Sequence, residues 1–147
     1  MLRKKPVSAV VVCLAAAGLM LSALFAGCAS APPANVKAVN CAAGKIAWDI
    51  APEAEVVEFA CAMGSHELEP SLIYTVTLKN AGDRPQRFRL NIFLLDMDKA
   101  SGYLVPDKGN PPVLAPGEAK TVKIPFMKTT QWPAETMVRV KTMSSEE

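Results

Sequence analysis

A chain of 147 residues, 50% hydrophobic and 20% charged, is long enough for one domain with a modest core and too short for several. Its 16 Lys and Arg face 14 Asp and Glu, but three of the basic residues and none of the acidic ones stand in the first 27 positions. From residue 28 onward the balance is 13 basic to 14 acidic, so the domain as a whole offers no electrostatic basis for binding nucleic acid.

Arg3, Lys4 and Lys5 precede an apolar and small-residue run from Val7 to Phe25, which ends in Leu24-Phe25-Ala26-Gly27-Cys28. A basic stretch, an apolar stretch and a small-residue site are the three parts of an export signal. A cysteine directly after the small residues resembles the bacterial lipobox, with Phe25 where leucine is usual. That resemblance implies cleavage after residue 27 and a covalent lipid on Cys28, with no further cofactor. A permanent transmembrane helix and an ordinary signal peptide are the competing readings of so long a run. The absence of stop-transfer charges speaks against the first, and a cysteine at the small-residue site speaks against the second. The expected organisation is a signal over 1–27, a lipid-anchored linker over 28–35 and a β-sandwich domain over 36–147. The linker, ASAPPAN after the cysteine, is small, polar and broken by Pro32 and Pro33.

Short apolar stretches separated by Pro, Gly, Asn and Asp then follow. Ile46 to Ile50 and Val56 to Met63 read as strands, the second with Val57, Phe59, Cys61 and Met63 inward. Leu72 to Lys79 alternates strictly, with Leu72, Tyr74, Val76 and Leu78 on one face. After the turn residues Asn80 to Pro85, Arg87 to Asp96 places Phe88, Leu90, Ile92 and Leu94 inward, with Arg87, Arg89, Asn91, Phe93 and Leu95 outward. A brief strand near Tyr103 to Val105 falls within a long Pro/Gly-rich connection from Met97 to Pro116. Ala119 to Phe126 and Met137 to Met143 complete the set, the last with Arg139 and Lys141 outward. No helix of ordinary length is expected, and 12 prolines argue against one. About seven short strands predict an all-β, antiparallel, immunoglobulin-like sandwich.

Once Cys13 leaves with the signal and Cys28 carries lipid, Cys41 and Cys61 remain as an even pair in an oxidising compartment, and a disulfide is expected. Two cysteines with the single histidine, His66, do not supply a four-ligand metal site, and a CxxC redox spacing is absent.

The segment L-K-N-x-x-D-R-P-Q from Leu78 to Gln86, the long strand ending at Asp96, the P-P-V-L-x-P-G-E segment from Pro111 to Glu118 and the Arg139-bearing final strand resemble the YcfL-like lipoproteins of Gram-negative bacteria. The likeness runs from about Ala47 to the end of the chain. Leu94 stands where that family carries an aromatic residue, and the seven residues Asp96 to Gly102 replace its Asp-Gly turn. A weaker similarity links the chain to FxLyD-type bacterial Ig-like domains. The resemblance implies a fold and a place, the periplasmic face of the outer membrane, since Ala29 lacks the inner-membrane retention aspartate of enteric bacteria. It implies no catalytic residue.

The chemistry-bearing residues are few. His66 beside Glu67 and Glu69 is the one acid–base candidate, expected in an exposed loop without a nucleophile or oxyanion motif. Asp96, Asp98 and Asp107 fail the EF-hand spacing, because Ala100 and Ser101 replace a ligand and the turn glycine. Lys79, Arg87, Arg89, Arg139 and Lys141 form one outward stripe if both strong strands and the last strand share a sheet, with Phe93 and Leu95 beside them. An ordinary solvated sheet face is the competing reading, and the apolar pair can equally lie under the 97–116 connection. The expectation is a non-enzymatic, lipid-anchored module that binds an envelope protein. A small-ligand or cation-binding role at the 97–116 connection is the alternative.

Overall fold

The structure, a computed structural model, describes residues 32–143. The signal expected over 1–27 and the lipid expected on Cys28 fall on residues outside those described.

Eight strands account for the regular structure: β1 (Val39–Asn40), β2 (Lys45–Ile50), β3 (Ala54–His66), β4 (Glu69–Asn80), β5 (Arg87–Leu94), β6 (Lys99–Val105), β7 (Ala119–Met127) and β8 (Glu135–Met143). They form two four-stranded sheets, ordered β1-β3-β4-β7 and β2-β8-β5-β6. The expectation of a wholly antiparallel arrangement is corrected at one edge of each sheet, where β1 runs parallel to β3 and β2 parallel to β8. Both parallel strands belong to the N-terminal segment. It runs alongside β3 as far as Asn40 and enters the second sheet at Lys45. Gly44 permits that entry, because a Cβ there would run into the Ala134 carbonyl.

The alternation read from Leu72 to Lys79 and from Arg87 to Leu94 is realised residue by residue. Leu72, Tyr74, Val76 and Leu78 in β4, and Phe88, Leu90, Ile92 and Leu94 in β5, are fully buried. They join Val122, Ile124 and Phe126 of β7 and Val138 and Val140 of β8 in one hydrophobic cluster fed by both sheets. A row of aromatic rings runs through it. The Trp48 ring stands edge-on to Phe59 at 5.1 Å, Phe59 lies 5.3 Å from Tyr74, and Tyr74 lies 5.6 Å from Phe126. The Tyr74 hydroxyl shares a hydrogen bond of 3.3 Å with the buried Thr136 hydroxyl, tying β4 of one sheet to β8 of the other.

Strand β3 departs from its expected facing. A bulge between Val56 and Glu58 shifts the register, so Val56 is buried and Val57 only half-buried, while Phe59 is buried and Cys61 packs against the core as expected. One extra residue reverses the alternation on either side of it, which a period-two reading across the stretch cannot follow. Met63, expected inward, is instead exposed, although its partner Leu72 across the hairpin is buried. The loop expected from Gly64 to Pro70 is instead strand up to His66, closed by the two-residue turn Glu67-Leu68, both with positive φ. The brief strand expected at Tyr103 to Val105 is a seven-residue strand paired with β5 along its whole length.

Asn80 ends β4 and holds two turns at once. Its buried amide donates to the carbonyls of Arg84 (2.7 Å) and Leu114 (2.9 Å), and its Oδ1 accepts from Gly82 N–H at 2.9 Å. Asn80→Leu removes three hydrogen bonds and leaves the Arg84 carbonyl and the Gly82 N–H without their partner, so it is expected to lower the unfolding free energy by about 3 kcal/mol. Urea denaturation checks this; a loss under about 0.5 kcal/mol contradicts the role given to this side chain.

Candidate functional site

Strands β5 and β8 pair antiparallel and carry the basic residues on their outward faces, with Arg89 opposite Lys141, Asn91 opposite Arg139, and Phe93 opposite Met137. On the far side of β8, parallel β2 brings Asp49 level with Arg139. One Asp49 oxygen accepts from Arg139 Nε at 2.9 Å and the other from Lys141 Nζ at 2.6 Å. The Lys141 hydrogen bond leads the causes that hold the Asp49 carboxyl below its ordinary value of 3.8, with Arg139 adding to it against some desolvation. Arg139 also lies over the Phe93 ring, 5.6 Å from its centroid, which keeps that ring half-buried.

Arg87 is half-buried, and its Nε donates to the Pro106 carbonyl at 3.3 Å. Arg89 is exposed and meets no carboxylate within ion-pairing distance among the described residues. Four cations therefore share this face with one carboxylate, Asp49, while Lys45 and Glu135 neutralise each other at one end at 3.0 Å. Beside Arg89 the surface dips into an open cleft of about 240 Å³ lined by Arg89, Asn91, Gly102, Tyr103 and Leu104.

Lys79 does not belong to this face. The two strong strands lie in different sheets, β4 in the first and β5 in the second, and the Lys79 ammonium stands 3.9 Å from Glu55 on the first sheet's outer side. The condition for a five-residue stripe is thus unmet, and Arg87, Arg89, Arg139 and Lys141 are what the fold brings together. Phe93 is not under the 97–116 connection. Much of that segment is β6, which lies flat beside β5 with Ala100 opposite Phe93. Leu95, half exposed, sits just past the end of β5.

The remaining candidates have local roles. His66 ends β3 with its Nε2 3.9 Å from Glu67, both exposed at the hairpin tip. Asp96 accepts the backbone N–H groups of Ala134 (2.9 Å) and Glu135 (3.3 Å), fixing the start of β8. Those N–H groups, Ala134 first, hold its carboxyl below 3.8 against some desolvation. Among the described residues no cluster of three or more His, Cys, Asp or Glu is placed to hold a metal. Cys41 and Cys61 form a disulfide with Cα atoms 4.7 Å apart.

Because Asp49 and Asp96 titrate lower folded than unfolded, their contribution to stability is complete above about pH 4 and is lost as pH falls below it. Denaturant midpoints measured from pH 6 to 2 are expected to drop on the acid side, and the drop is expected to shrink in Asp49→Asn and Asp96→Asn. An acid limb unchanged in both variants contradicts the assignment.

Two features of this face went unread in the sequence. Asp49 is 90 residues from Arg139, and only parallel pairing of β2 with β8 makes them neighbours. The cleft depends on Gly102 lying opposite Asn91, a register fixed by the β5–β6 pairing. Comparison with protein-family models, with curated proteins and with solved structures finds no match to this chain.

Proposed function

We propose that this chain is a lipid-anchored, non-catalytic binding module of the bacterial cell envelope, an immunoglobulin-like β-sandwich hung from Cys28. It contacts an envelope protein through the outer face of β5 and β8. The observation that carries the reading is the unbalanced face itself: Arg89 exposed without a counter-ion beside an open cleft, on the same face as the half-buried Phe93 under Arg139. Uneven charge next to aromatic surface is what a partner-specific contact needs. The single hydrophobic cluster shared by two four-stranded sheets supports the sandwich, and the Cys41–Cys61 disulfide suits an oxidising compartment. The lipobox-like site supports the anchor. The likeness to YcfL-like lipoproteins, and with it the periplasmic face of the outer membrane, is part of the same reading.

Chemical crosslinking in intact producing cells, followed by pull-down, is expected to recover a specific envelope protein. Combined replacement of Arg87, Arg89 and Phe93 is expected to weaken that complex while the domain stays folded. Recovery of the wild type alone across growth states counts against the reading. The mass of the N-terminal peptide from the membrane fraction checks the anchor: it is expected to begin at lipid-modified Cys28, and a retained signal contradicts it. The cleft by Arg89 favours a second reading, a small anionic ligand. A ligand screen by thermal shift in the absence of any protein separates the two.

A further inference from the structure

Four strands stand at sheet edges, namely β1, β7, β2 and β6. An edge strand presents unpaired backbone N–H and C=O groups, and folds blunt such edges by brevity, charge, proline or bulges. Strand β1 has two residues, β7 carries Lys120, Lys123 and Pro125, and β2 carries Lys45 and Asp49. Strand β6 has none of these defences along most of its length. Its one charge, Lys99, is drawn away to the carbonyls of Met127 (3.2 Å) and Lys128 (3.1 Å) and the Thr129 hydroxyl (2.8 Å). From Ala100 to Val105 it has no charge, proline or bulge, and among the described residues no strand pairs with its far side.

The same edge borders the cleft beside Arg89. Gly102 keeps that cleft open, since a Cβ there would stand 2.7 Å from Asn91 Oδ1 and crowd the amide. An unguarded backbone edge, an exposed guanidinium without a counter-ion and a notch between them therefore coincide.

We infer that β6 accepts an extended acidic segment of a partner protein as a fifth strand, with one of its carboxylates on Arg89. The inference rests on the binding-module reading and names the chemistry of the partner. A backbone ladder holds an added strand whatever its sequence, and every second side chain of that strand lies on the Arg89 side of the sheet. A carboxylate there makes a charge-assisted pair with the guanidinium, and the surplus of cations on the face selects against a basic strand. A second copy of this chain is the poorer occupant. Joining β6 to β6 about a two-fold axis sets two cationic faces side by side.

The test is titration of the full chain, purified in detergent, with an acetylated six-residue peptide of alternating threonine and glutamate, read by backbone amide NMR shifts. Saturable shifts at Ala100 to Leu104 are expected, weakened about tenfold or more in Arg89→Glu and abolished when lysine replaces glutamate in the peptide. A version of the acidic peptide N-methylated at alternate residues keeps its carboxylates but cannot form the ladder, and it is expected not to bind. Equal binding by the methylated peptide, no shifts at millimolar acidic peptide, or concentration-dependent pairing of β6 in the protein alone each overturns the inference. If cell crosslinking captures a partner on the outer face while the peptide titration stays silent, strand addition fails and the binding-module reading stands. If no partner is captured, the latter fails by itself.

Discussion

Tyr74→Ala is expected to lower the unfolding free energy by about 3–5 kcal/mol, the largest effect of any single substitution proposed for this domain. The ring is fully buried between Phe59 and Phe126, so alanine leaves a cavity that the β-strands around it cannot close. The substitution also removes the hydrogen-bond partner of the buried Thr136 hydroxyl in the opposite sheet. Tyr74→Phe keeps the ring and isolates that hydrogen bond, and its expected cost is about 1 kcal/mol. Urea denaturation followed by tryptophan fluorescence measures both, since Trp48 packs on Phe59, the next ring in the row. A cost for alanine no larger than for phenylalanine contradicts the packing role. Burial raises the Tyr74 hydroxyl above its ordinary value of 10.0, with the Thr136 hydrogen bond opposing and Asp96 adding to the rise. A raised value means that the stability linked to the neutral phenol is complete below pH 10 and is lost as pH climbs beyond it. Tyr74→Phe is therefore expected to lessen the alkaline loss of stability.

Removing the disulfide is the second large effect. The closed loop, with cysteines 20 positions apart, corresponds to about 3 kcal/mol on the chain-entropy model, and Cys41→Ala/Cys61→Ala is expected to lose about that much. Register explains where the bond falls. Parallel pairing sets Val39 beside Phe59 and Asn40 beside Ala60, so Cys41 and Cys61 are the next pair at the same offset. The bond fastens the chain at the point where it leaves β3 on its way to β2. Amide exchange in the double variant is expected to quicken first at Ala38 to Asn40 and at Phe59, whose N–H donates to the Ala38 carbonyl. Unchanged exchange there, with stability intact, contradicts the clamp. Thiol titration of the unfolded, unreduced chain bears on the same point, and two free thiols from Cys41 and Cys61 refute the pairing.

The parts of this fold that were legible in the sequence are those set by local alternation. Leu72 to Leu78 and Phe88 to Leu94 declared their buried faces because one side chain in two must leave water in a half-buried strand. The Val56–Glu58 bulge hid the facing of β3 before Phe59, since its single extra residue leaves no mark in the apolar pattern. Strand β6 was mostly missed because Lys99, Ser101 and Gly102 do not read as strand formers. Its existence comes from pairing with β5 rather than from propensity. The basic face was legible in its members but not in its boundary. Lys79 drops out and Asp49 enters because both depend on which strands share a sheet, and that is decided by contacts far apart in the chain. The expectations of a signal over 1–27 and of a lipid on Cys28 rest on local sequence chemistry and fall outside the described residues.

A working surface on the outer face of β5 and β8 is probed by placing a photocrosslinking amino acid at Asn91 and, separately, at Thr75. Asn91 stands among Arg89, Arg139 and Gly102, and Thr75 stands on the outer face of the other sheet beside Lys123. Irradiation of intact producing cells is expected to yield a specific protein adduct from position 91 and none from position 75. An adduct from position 75 alone, equal adducts from both, or none from either contradicts a working surface on β5 and β8.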